Sequence, residues 1–160
     1  MSPCQTSTRY SCQCTTSSSD DRPQMSELRY LLDTNILSAL IRDPQGPVAL
    51  MLGQRGHDRV CTSLVVAAEL RFGALERASP TLLGKITSLL AIMPVLPLEA
   101  GVDDAYARIR LALEQAGTPI GPNDLLIAAH ALDQDLTLVT DNADEFSRVP
   151  GLRVENWLKR

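Results

Sequence analysis

The sequence predicts an α/β domain with a mainly parallel sheet, and three observations lead there. Short apolar runs alternate with longer stretches of helical periodicity. The chain of 160 residues is 44% hydrophobic, enough for one domain with a sizeable core. Pro94, Pro97, Gly117 to Pro122 and Pro150 to Gly151 punctuate it as turns between elements, not as linkers between domains.

Taken in order, "LRYLLD" (28–33) is the first strand-like run, followed by a helical stretch from Asn35 to Arg42. "RVCTSL" (59–64) is the second strand. It leads into a helix over Leu64 to Ala78, where Val65, Ala68, Phe72 and Leu75 recur at helical spacing and define a buried face. A further helix spans Pro80 to Ala91, "MPVLPL" (93–98) is the third strand, and Gly101 to Gln115 is helical. Gly121 and Pro122 then break the chain. Asn123 is a good cap for a helix to Gln134 in which Leu125, Ala128, Ala129 and Leu132 share a face. "LTLVT" (136–140) and "LRVENW" (152–157) close the series as strands, with Trp157 a packing residue of the last. Between them Asn142 and Glu145 form an N-x-x-E pattern that resembles a capping box. No internal repeat is present.

Residues 1–24 differ in kind. They are rich in Ser, Thr and Cys, contain no apolar run and lack the hydrophobic centre of a secretory signal, so they read as a disordered tail ahead of a domain over 25–160. Met25 opens the periodic region, and a misassigned start is an alternative origin for the tail. Cys4, Cys12 and Cys14 lie in it, and "CQC" lacks the second pair that a zinc site requires; Cys61 alone falls in the domain, as a buried residue. No stretch approaches the roughly 18 apolar residues of a membrane span, which points to a cytoplasmic protein. Formal charge is -4, so bulk electrostatics do not imply a nucleic-acid partner. Such a partner would need local Arg and Lys clusters beside an acidic site.

Four acids have separate reasons to meet. Asp33 follows the first strand, where parallel sheets build their ligand crevice, although Asp33, Thr34 or Asn35 could equally cap the next helix. Glu69 has Val65, Val66, Phe72 and Gly73 one turn away, and a carboxylate among apolar neighbours is costly unless it is paired or binds a metal. A salt bridge to Arg71 or Arg42 is the plainer alternative. Asp124 falls in a first helical turn, where the helix dipole favours its charged form. Asp141 follows the "LTLVT" run and stands just outside the next helix, with Asp144 as a solvated competitor. Oxygen-only ligands of high charge suit Mg²⁺ or Mn²⁺ acting on a phosphodiester. No nucleophilic Ser or Cys stands out. His57, in a polar loop, and His130, on a core-adjacent helix, lack metal-ligand spacing.

The segments "LLDTNILSAL", "ELRFGALE", "IGPNDLLIAAHAL" and "LTLVTDNADEFSRVPGLRVENW", in this order, resemble the PIN-domain ribonucleases and among them the VapC-type toxins of toxin-antitoxin pairs. The resemblance covers nearly all of Leu28 to Arg160. It implies a three-layer α/β/α sandwich and endonucleolytic RNA cleavage dependent on Mg²⁺ or Mn²⁺, leaving a 5′-phosphate and a 3′-hydroxyl. It also implies a cognate VapB-like antitoxin that inserts into the site, and homodimers. By position, Asp33 and Asp124 correspond to the principal metal ligands, Glu69 to a further acidic ligand or water-positioning base, and either Asp141 or Asn142 to the fourth member. Arg42, Arg71, Arg108, Arg110 and Arg148 are candidates to hold RNA, and apolar surface near Leu37, Leu40 and Leu52 to receive the antitoxin. The chief alternative is a catalytically inactive PIN-like domain that only binds RNA or protein, against which the intact acids argue. A receiver domain would want an acidic pair after the first strand, and a haloacid-dehalogenase-like phosphatase D-x-D; "LLDTN" offers neither.

Overall fold

The structure, a computed structural model, describes residues 27–159; the expected tail and Met25 lie outside them. Five strands, β1 (Tyr30–Leu32), β2 (Val60–Ser63), β3 (Val95–Leu96), β4 (Thr137–Val139) and β5 (Val154–Glu155), form one sheet in the order β3-β2-β1-β4-β5. Every pairing is parallel. Each strand lies inside the run that marks it in the sequence, and each is shorter than that run.

The helices are α1 (Thr34–Arg42), α2 (Pro47–Arg55), α3 (Leu64–Glu76), α4 (Pro80–Ile92), α5 (Val102–Gln115), α6 (Pro122–Asp133) and α7 (Ala143–Phe146), with a 3₁₀ turn at His57–Arg59. The chain steps from β1 out to β3 through α1 to α4 and returns through α5 to α7 to β4 and β5, and the right-handedness general to parallel crossovers puts these two groups of helices on opposite faces. The result is a three-layer α/β/α sandwich. Among the described residues no helix is long and apolar enough to cross a membrane.

Covering both faces explains the strand sequences. Leu31, Leu32, Cys61, Leu138 and Val139 are all fully buried, so the strands read as continuous apolar runs without alternation. Burial pushes the Cys61 thiol up to about 12, which leaves it inert as a nucleophile. Trp157 is buried just beyond β5, edge-on to Tyr30 with ring centroids 5.2 Å apart.

Two expectations need correction. No element was expected between Arg42 and Arg59, yet α2 forms there, with Val48, Met51 and Leu52 at helical spacing, Pro47 in its first turn and Gly56 just past its end. In α3 the buried face is not Val65, Ala68, Phe72 and Leu75 but Val66, Ala67, Leu70 and Ala74. Val65 is half-buried, Ala68 is exposed, and Phe72 and Leu75 are each 66% exposed. Both sides of α3 are apolar, so periodicity could not say which side meets the sheet.

Register brings the functional ends level. Leu32 stands opposite Thr62 and Val139, so the next residues along β1, β2 and β4 are Asp33, Ser63 and Thr140, side by side at the carboxyl edge. Chain order reverses direction between β1 and β4, the topological switch point where α/β sheets open a crevice.

Candidate active site

Asp33 sits at that switch point and is only 4% exposed. Its Oδ1 accepts the Thr34 N–H at 2.7 Å, capping α1. Its Oδ2 accepts the Thr140 hydroxyl at 2.7 Å and Asn35 Nδ2 at 3.1 Å. Capping and crevice placement, alternatives at the sequence level, are therefore both realised by one side chain. Burial raises the Asp33 pKa, with the charge of Glu69 adding to it, while the Thr140, Thr34 and Asn35 donors oppose the rise.

Glu69 projects from α3 without an ion-pair partner among the described residues, so neither Arg71 nor Arg42 neutralises it. The Thr34 hydroxyl donates to its Oε2, and Asn123 Nδ2 donates to its Oε1 at 2.9 Å. Asn123 has this freedom because it is not the cap of α6. Gly121 occupies that position and Pro122 the first helical one, where a missing N–H is harmless.

Asp124 lies in the first turn of α6, as its sequence context implied. A Cβ on Gly121 would come within 2.9 Å of Asp124 Oδ2, so glycine leaves room for the carboxylate. The Asp124 pKa is raised to about 6, first by burial and then by the charges of Glu145, Asp33 and Glu69. Asp33, Glu69 and Asp124 thus converge electrostatically although 91 residues separate the first from the last.

For the fourth place, given by position to Asp141 or Asn142, the structure offers a further candidate in Glu145. Asp141 is exposed, its Oδ1 accepting Asn156 Nδ2 at 2.9 Å and its N–H donating to Asn35 Oδ1 at 3.0 Å. It is not among the charges that act on Asp124; Glu145, on α7, is the strongest of them. Asn142 caps α7 with no side-chain bond to its backbone, and its amide instead reaches Glu145 Oε2. The N-x-x-E pattern therefore positions an acid and does not close a capping box. Asp144 is exposed, as a solvated helix residue should be.

Behind the acids, His130 Nδ1 lies 2.9 Å from Ser63 Oγ, and Ser63 caps α3 through the Val65 N–H. That contact ties the helix bearing Glu69 to the helix bearing Asp124. Sequence reasoning gave Thr34, Asn35, Asn123 and Glu145 capping roles only and passed over Thr140; the polar run "DTN" on an apolar strand was the readable signal for a site role of the first two.

The donor set consists of carboxylate oxygens alone, which suits Mg²⁺ or Mn²⁺ and not a thiolate or imidazole metal. Among the described residues no three His, Cys, Asp or Glu side chains are disposed to enclose an ion by themselves.

An all-parallel sheet with acids from separate segments gathered at its switch point is the build of a PIN domain, and the PIN-domain family model matches residues 30–152: the chain belongs to that family. Ribonuclease VapC2 of Rickettsia felis is 36% identical over 132 residues, 81% of this chain and 98% of the relative. The tRNA(fMet)-specific endonuclease VapC of Shigella flexneri is 35% identical over 131 residues, with the same shares covered. These relatives place the chain in the VapC branch of the family. Among solved structures, the DNA-bound VapBC complex of Salmonella typhimurium superposes with a TM-score of 0.76 at 32% identity, covering 81% of this chain and 98% of that one.

Proposed function

We propose that this protein is a divalent-metal-dependent endoribonuclease, the toxin of a toxin-antitoxin pair, and that Asp33, Glu69, Asp124 and Glu145 form its active site. The observation that carries the reading is geometric: Asp33 stands at the switch point of the sheet, and Glu69 is bonded both to Thr34 beside Asp33 and to Asn123 beside Asp124, with no ion-pair partner for these acids among the described residues. Asp33 and Asp124 would hold Mg²⁺ or Mn²⁺, with Glu145 in place of Asp141 as the fourth acid. Bound there, the ion supplies positive charge that offsets the carboxylates and stabilises the phosphodiester as it is attacked.

The chain's own residues do the rest. Thr34 and Asn123 hold Glu69 so that its remaining lone pairs can orient the attacking water and accept its proton. Thr140 and Asn35 lock the Asp33 carboxylate against rotation. The Ser63–His130 contact fixes the separation of α3 and α6.

A VapB-like antitoxin is the proposed partner. Its seat is an apolar groove of 710 Å³ between α1, α2 and α4. Leu40 and Leu52 line it, as the sequence suggested, while Leu37 is fully buried core. Ile92, 83% exposed at the end of α4, is its most solvent-exposed large apolar side chain. Induced expression of the chain alone should arrest growth, co-expressed antitoxin should relieve the arrest, and Ile92→Asp should remain toxic despite the antitoxin. Healthy growth on induction of folded protein would refute the toxin assignment.

The outward stripe of α3, formed by Leu64, Ala68, Phe72 and Leu75 with Arg71 at its edge, is apolar and exposed, and we assign it to a second copy of this chain meeting it about a two-fold axis. Phe72→Glu should convert a dimer to a monomer in light scattering. A monomeric unaltered protein would remove the assignment.

A further inference from the structure

A second groove, of 410 Å³, runs between α1, α3 and α4 and begins at the acids, since Thr34 and Glu69 are both in its lining and bonded to each other. From there it leads past Gly73 to Arg42, Arg77 and Lys85. Among the described residues none of these three cations has an ion-pair partner. Arg108 and Arg110, by contrast, are paired to Asp104 and Glu114 on their own helix at 2.7 and 2.8 Å. In a chain of net charge -4, an uncompensated cluster of cations next to uncompensated acids is an unusual arrangement. It matches a ligand whose charge is negative along its length and which meets the acids only at one point.

Gly73 adds a second, independent observation. It lies inside α3, one turn from Glu69 and one from Arg77, and a Cβ there would meet nothing within 4 Å. Neither packing nor backbone conformation of this chain requires glycine at that position. A glycine inside a helix is unfavourable relative to alanine, and one common use of it is to let a ligand approach the backbone. Arg77, at the end of α3, stands about 12 Å along the helix axis from Glu69, a span suited to a neighbouring phosphate and not to the one being cut.

Resting on the endoribonuclease reading, we propose that this groove is the track for the flanking single strand of RNA: Arg77 and Lys85, with Arg42, hold backbone phosphates beside the scissile one, and Gly73 is the bare stretch of wall the strand lies against. The contacts are to phosphate, so they set affinity and register without reading sequence. Of the arginines that sequence analysis offered for RNA, only Arg42 lines this groove; Arg77 and Lys85 were not among them.

Equilibrium binding of a short fluorescent single-stranded RNA to the full chain in Ca²⁺, with parallel Mg²⁺-dependent cleavage, tests this. The Arg77→Ala/Lys85→Ala double variant should bind about tenfold or more weakly, and the slope of log affinity against log salt should fall by about 1.4, the loss of two single-strand phosphate contacts. In cleavage the effect should appear in KM with kcat little changed. Gly73→Leu should weaken binding similarly while melting no lower than the unaltered protein, and Arg108→Ala/Arg110→Ala should leave binding unchanged. Binding and salt slope unaffected by the Arg77 and Lys85 changes would overturn the proposal, as would a fall in kcat at constant KM. Binding that depends on these residues without any cleavage would leave the track standing and refute the nuclease reading instead.

Discussion

Asp124→Asn should lower kcat for RNA cleavage by at least about a hundredfold while making the metal-free protein more stable, not less. The two effects share a cause. The Asp124 carboxyl titrates at 3.8 when unperturbed and about 6 in the folded chain. Between roughly pH 4 and 6 the folded state therefore holds more protons than the unfolded state, and stability falls as pH rises through that window. Above it the destabilisation is fully present, because Asp124 is held charged against burial, Glu145, Asp33 and Glu69. Asparagine removes the charge and with it the penalty. Melting curves in EDTA at pH 5 and pH 7.5 read this directly: the variant should gain over the unaltered protein at pH 7.5 and much less at pH 5. Mg²⁺ should stabilise the unaltered protein more at the higher pH, since a ligand of the folded state stabilises it by mass action and needs the deprotonated carboxylate. Equal melting of the two proteins at pH 7.5 would mean that Asp124 is not under this strain.

Asp33→Ala should differ from Asp33→Asn in stability while matching it in inactivity. Asp33 accepts from the Thr34 N–H, the Thr140 hydroxyl and the Asn35 amide, and it is nearly fully buried. Alanine removes the cap of α1 and leaves buried donors without an acceptor, a loss of about 1–3 kcal/mol. Asparagine keeps one oxygen for the Thr34 N–H and removes the buried charge whose pKa is raised, while its Nδ2 no longer accepts from Thr140 and Asn35, so it should lose less stability than alanine. Denaturant unfolding of the two variants in EDTA separates the roles. If alanine were as stable as asparagine, Asp33 would have no part in fixing the junction of β1, β4 and α1.

What the sequence disclosed follows physical lines. Strands buried on both faces were visible as apolar runs, and Asp33 was visible as a charge directly after such a run, although the sequence could not separate a cap from a crevice residue and the structure makes it both. Asp124 was legible from Gly121 and Pro122, which fix a helix start. Less was legible where two solutions have the same local pattern. The apolar residues of α3 surround the helix, so the choice of Val66, Leu70 and Ala74 as the inner side depended on the angle at which Ser63 delivers the chain from β2. Asp141 and Glu145 lie four residues apart, the first outside α7 and the second within it; Asn156 holds the first and Asn142 the second, contacts between residues that periodicity does not relate. The cations of the groove come from three helices, and only their packing makes Arg42, Arg77 and Lys85 neighbours.

Cleavage of end-labelled RNA by the purified full chain, first in EDTA and then with Mg²⁺ restored, comparing the unaltered protein with Asp33→Asn and Asp124→Asn, tests the central claim most directly. Cutting that requires the metal and disappears in both folded variants is the result these carboxylates predict. Cutting that persists in EDTA, or in either variant at ordinary Mg²⁺, would contradict it.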